Sequence, residues 1–108
     1  PAKCIENDFK WKTPNPLVVG YENYMKMPYD RQTWDMTSVL YVVENDKNFF
    51  GNSGWGTINI DDTGATTFVP DTNGKHCYLT VNDEQARTIK DYFIHFITQK
   101  PAKYKNMD

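Results

Sequence analysis

The chain has 108 residues, 39% of them hydrophobic and 15% aromatic, enough for one modest core and too few for two independent domains. Twelve Lys and Arg against fourteen Asp and Glu give a net charge of -2, with no run of five like charges. The basic face that nucleic acid binding requires is therefore missing, and nucleic acid is excluded as the expected partner.

Residues 1–13 have mixed polarity and no clear period, and are expected to complete an edge or hang free. Asn15 followed by Pro16 then predicts a helix start, with Asn15 as cap and Pro16 at the first helical position. The helix is expected over residues 16–26. Leu17, Val18, Tyr21, Tyr24 and Met25 form its apolar side, and Pro28 ends it by pushing the preceding residue out of the helical region.

A second helix is expected over residues 34–43, capped by Thr33. Met36, Val39, Leu40 and Val43 fall at i, i+3, i+4 and i+7 and predict a core-facing stripe. Asp35 lies one position off this stripe, in the first turn. A carboxylate there either complements the positive end of the helix dipole or stands at the mouth of a site and holds a cation.

Residues 44–54 are polar and punctuated by glycine, except for Phe49 and Phe50, which tuck the loop onto the core. The period then changes to two. Residues 57–61 alternate, Asp62, Thr63 and Gly64 make a turn, and residues 65–69 supply a β-branched partner, which together predict a hairpin. After a second turn at residues 71–74, a third strand is expected over residues 75–81, with Cys77, Leu79 and Val81 on one face. Asn82 with Gln85 three residues on predicts a capping box for a last helix running to about Thr98, striped by Ala86, Ile89, Phe93, Phe96 and Ile97. The order predicts an α+β fold in a single small domain or fragment over residues 1–108: two N-terminal helices, a three-stranded antiparallel meander and a C-terminal helix.

No apolar run approaches the ~18 residues that span a bilayer, and the first residues lack a signal-peptide apolar stretch. The chain as given reads as soluble, with no membrane partner and no targeting segment. Cys4 and Cys77 form no metal-type pair; a bridge and two free thiols both remain open, and free thiols are the expectation.

Motifs for self-contained catalysis are missing: there is no glycine-rich phosphate loop, no Cys/His cluster and no G-x-S-x-G elbow. The acidic spots, Glu44 with Asp46, Asp61 with Asp62 and Asp83 with Glu84, read as solvated loop, turn and helix start. His76, on a strand face with Tyr78 and Thr80, reads as an exposed or hydrogen-bonded neighbour in preference to an acid or base. Trp55, between Gly54 and Gly56, reads as a lid on the hairpin in preference to a stacking platform.

Three blocks taken together carry a resemblance. They are Tyr29-Asp30-Arg31-Gln32-Thr33-Trp34-Asp35-Met36-Thr37-Ser38-Val39-Leu40, then Gly56-Thr57-Ile58-Asn59-Ile60-Asp61-Asp62-Thr63-Gly64, then Gly74-Lys75-His76-Cys77-Tyr78-Leu79. In this order and spacing they resemble the C-terminal part of a bacterial inosine-uridine-preferring nucleoside hydrolase, and the likeness covers nearly the whole chain. The resemblance implies the closing part of an α/β nucleoside hydrolase fold, and cleavage of the N-glycosidic bond of a ribonucleoside by a calcium-activated water. It implies that Asp35 is the one metal ligand the family draws from the start of a helix near its C-terminus. It also implies that Trp34 flanks the nucleoside.

Two departures accompany the likeness. Many relatives carry a histidine, able to protonate the leaving base, where this chain has Trp34, and tryptophan cannot do acid catalysis. The N-terminal Asp-x-Asp-x-x-x-Asp-Asp cluster, which supplies the catalytic base and most metal ligands, is not in this chain. The expectation is therefore a segment with no catalytic residue of its own, inactive alone and without tight calcium binding. The competing expectation is a non-catalytic interaction module in which Trp11, Tyr29, Trp34 and Trp55 bind a protein partner or a second copy, making a homo-oligomer.

Overall fold

A computed structural model describes residues 2–45 and 47–104; Asp46 lies outside the described residues. The helices are α1 (Ala2–Asn7), α2 (Pro16–Tyr24), α3 (Trp34–Val43) and α4 (Asp83–Ile97). The strands are β1 (Gly51–Asn52), β2 (Gly56–Ile60), β3 (Thr66–Pro70) and β4 (Leu79–Thr80), and a 3-10 turn follows at Ala102–Tyr104. Helix and antiparallel strand are thus combined, as expected.

Local chemistry sets the helix starts. The Asn15 side chain accepts from the Leu17 N–H at 3.0 Å with Pro16 at the first position, so α2 begins where expected. Asn82 and Gln85 form the reciprocal capping box of α4, at 2.8 and 3.0 Å. Helix α3 has the expected bounds, but Thr33 makes no side-chain capping bond.

Residues 2–13 neither form an edge nor hang free. Helix α1 and the turn after it place Cys4, Ile5 and Phe9 at the centre of the main core, with Val18 and Tyr21 of α2, Met27, and Ile94 and Ile97 of α4 packed around them. Burial pushes the Cys4 thiol above its ordinary pKa, and Cys4 and Cys77 are both free.

The expected three-stranded meander is not formed. Strand β2 pairs antiparallel with β3 from Gly56–Pro70 to Ile60–Thr66, while the third predicted strand shrinks to β4 and pairs with β1 through Gly51–Thr80 and Asn52–Leu79. Gly56 links the two small sheets through a bridge to His76. Three residues lie between Asn52 and Gly56 but only two between their partners Leu79 and His76, so the chain bulges around Gly54, whose φ is +80°. The segment after β3 passes over Gly56 so closely that a Cβ on Gly74 would lie 2.1 Å from the Gly56 carbonyl oxygen. This crossing takes up the residues that the alternating pattern assigned to strand.

The packing is open. The radius of gyration is 18.0 Å, against about 13 Å for a compact domain of this length. The accessible surface is 8609 Å², against about 6,200 Å² for a compact monomer of this mass, an excess of about 2,400 Å². Of the α3 stripe only Leu40 is buried; Met36 is half-buried, and Val39 and Val43 are 64% and 70% exposed.

Candidate functional site

A cavity of about 410 Å³ opens between α2, the start of α3 and α4. Its walls are mainly apolar: Leu17 and Tyr21 from α2, Trp34 and Met36 from α3, and Ala86, Ile89, Phe93 and Ile97 from the α4 stripe. Arg31 and Lys90 are the charged side chains that line it. The volume falls in the range of small-molecule sites, which combine apolar walls with few polar groups.

Trp34 is the first residue of α3, 74% exposed, and contributes one wall of this cavity. Its indole offers a flat face for stacking and only an N–H for hydrogen bonding. Asp35, the next residue, is exposed and does not line the cavity. Successive residues on a helix point about 100° apart, so the two predicted site residues share a turn without sharing a pocket. Asp35 lies in the first turn of a helix that lacks a side-chain capping bond, where the unsatisfied N–H groups make a favourable place for negative charge.

No group of three or more His, Cys, Asp or Glu side chains able to hold a metal occurs among the described residues. A calcium ion takes six to eight oxygen ligands, so Asp35 and its surroundings do not by themselves fit one.

Arg31 carries no sequence signal beyond its place in the Tyr29–Leu40 block. Its Nη1 donates to the Tyr24 hydroxyl at 2.7 Å and its guanidinium lies 4.4 Å from the centre of that ring. Lys90 gave no sequence signal, because it sits on the polar side of a stripe read as core. The stripe itself was legible, but its role as cavity wall was not.

The other candidates resolve into structural roles. Asp61 accepts from the Thr63 hydroxyl and from the Thr63 and Ala65 N–H groups, with the Thr63 hydroxyl foremost in holding its carboxyl below the usual range. Glu44 accepts from the Tyr92 hydroxyl at 2.8 Å, which lowers its pKa, and Lys47 adds an ion pair at 3.3 Å. Asp83 and Glu84 occupy the first turn of α4. His76 takes the Ile58 N–H on its Nδ1 at 3.2 Å.

Of the four aromatic residues proposed as a docking set, Trp11 and Tyr29 are half-buried. Tyr29 stacks on Tyr21 at 5.6 Å and donates to its carbonyl at 2.7 Å. Trp34 and Trp55 are exposed. No helix among the described residues is long and apolar enough to cross a membrane. No family model matches the chain, and no curated protein or solved structure matches it.

Proposed function

We propose that this chain is the closing segment of a nucleoside hydrolase-like protein. In that protein Asp35 supplies one carboxylate to a calcium ion and Trp34 stacks against the nucleoside, whose N-glycosidic bond is hydrolysed to ribose and free base. The observation that carries the reading is the exposed Asp35 carboxylate at the first turn of α3, beside a cavity that Trp34 helps to wall. A lone carboxylate on a rigid helix end is a poor metal site and a good contribution to a shared one.

The bare side of α3 supports the same reading. Seven of its ten residues are apolar, the composition of a helix covered on most sides, yet one is buried. Remaining ligands and the catalytic base would come from sequence upstream of Pro1. The segment alone is then non-catalytic.

The test is base release from inosine and uridine, with and without calcium, by the polypeptide extended upstream in its own reading frame. Asp35→Asn in the extended protein is expected to lower the rate by about a hundredfold or more, since a metal ligand is lost. The isolated 108 residues are expected to release no base and to show no tight calcium binding by calorimetry. Base release by the isolated chain, or an upstream frame without an acidic cluster, would overturn the reading.

A further inference from the structure

The cavity between α2, the start of α3 and α4 carries a charge pattern that the hydrolase reading leaves unused. Its walls come mainly from the apolar sides of α2 and α4, and the charged side chains lining it are Arg31, on the segment between α2 and α3, and Lys90 on α4. No Asp or Glu lines it among the described residues. Arg31 and Lys90 are both exposed, whereas Ile89, which also lines the cavity, is buried. An apolar interior is thus joined to a cationic, water-facing rim.

We infer that this cavity is a binding site for a single-chain carboxylic acid, with the hydrocarbon chain among the apolar walls and the carboxylate at Arg31 and Lys90. Three observations select that occupant. The first is the lining: a strongly hydrated body placed among these walls would lose its water and gain few hydrogen bonds, whereas a hydrocarbon chain gains from leaving water. The second is charge. Both cations lie at one cavity with no lining carboxylate to offset them, so an anion is drawn in and an amine is repelled.

The third is preorganisation. Arg31 donates from Nη1 to the Tyr24 hydroxyl at 2.7 Å with its guanidinium 4.4 Å from the ring centre, so the side chain is ordered before a ligand arrives. A guanidinium carries further N–H donors in the same plane, a fork that matches a carboxylate. Asp30, the acid next to Arg31 in sequence, accepts the Ala2 N–H at 2.9 Å and does not line the cavity. Because both cations are exposed, the head group keeps part of its water and is not buried as a bare charge. Affinity then comes mostly from the chain, and selectivity from the rim.

Isothermal titration calorimetry of the 108-residue chain with octanoate, nonanoate and decanoate, each below its micelle concentration, tests this. The dissociation constant is expected to fall about fourfold with each added CH2. Decanoate is expected to bind more tightly than decanol, and decylammonium most weakly. Arg31→Gln and Lys90→Gln are each expected to weaken decanoate by about three- to tenfold and to leave decanol unchanged. Arg87→Gln, on α4 but outside the lining, is expected to change neither. Ala86→Phe puts a ring into the cavity and is expected to abolish binding of both with an unchanged far-ultraviolet spectrum. No binding of decanoate overturns the inference, as does an affinity indifferent to chain length. So does full affinity for decanoate in both glutamine variants of the rim, or decylammonium binding as tightly as decanoate. Tighter binding of decyl phosphate than of decanoate overturns the carboxylate head group. Every arm omits calcium and leaves Asp35 in place, so the hydrolase reading stands or falls separately.

Discussion

Around Cys4, Ile5 and Phe9 the chain gathers side chains from three helices into a closed core, whereas along α3 a more apolar sequence buries Leu40 alone. Helix α1 has three apolar residues in six and is the better covered; α3 has seven in ten and is nearly bare. Apolar composition thus sets how much a helix can gain from burial, while the arrival of neighbours sets how much it does gain. The closed end has its neighbours within the chain. Along α3 most of the apolar side chains are left exposed.

The sharpest way to break this contrast is to empty the closed end. Phe9→Ala removes a ring that is almost wholly buried and is expected to cost about 3–5 kcal/mol, enough to unfold much of a small chain. Urea denaturation measures the loss, and hydrogen exchange should show it first in α1 and α2. If Phe9→Ala behaves like a surface change, the core does not lie where the structure puts it.

A smaller effect is expected where the two small sheets meet. Gly74→Ala drives a methyl group into the Gly56 backbone and should cost about 1–3 kcal/mol, with protection lost at Gly56 and His76 and retained in α1. Together the two variants ask whether the closed core and the hairpin lose structure independently.

The smallest effect concerns the link between α3 and α4. The Tyr92 hydroxyl holds Glu44 below its usual pKa, so the contribution of this bond is complete above the unfolded value of about 4.3. It is lost as pH falls through the lower folded value. Stability should therefore decline on acidification through this window, and Tyr92→Phe should flatten the decline. A pH profile unchanged by Tyr92→Phe would place the stabilisation elsewhere.

What could be read from sequence was what local chemistry decides. Asn15 with Pro16, and Asn82 with Gln85, fix helix starts through bonds to residues two or three positions away, and both starts fall where expected. Helix α1 was missed because six residues make fewer than two turns, too short for a period to emerge. The meander failed for another reason. Alternation in residues 75–81 specifies which side chains share a face, but the choice of partner depends on the Gly74 crossing over Gly56, a contact eighteen residues apart in the chain.

The site divides the same way. The positions of Trp34 and Asp35 on the first turn of α3 were legible, because the helix boundary was. Their separation into a cavity wall and an exposed carboxylate was not, because it depends on where α2 and α4 lie relative to that turn. Arg31 and Lys90 reach the same cavity from different elements, and only the tertiary fold brings them to it.

The hairpin carries one last consequence in the way its two margins are finished. Gly56 and Ile58 turn their N–H groups away from β3, and both are taken: one by the His76 carbonyl, the other by the His76 ring. Pro70, opposite Gly56, has no N–H to offer on the outer side of β3. A bare pair of strands is an invitation to further strands and so to fibrils. Here the carbonyl and ring of one histidine take two outward N–H groups of β2 and one proline withholds a donor on β3, so part of each margin is closed to a further strand.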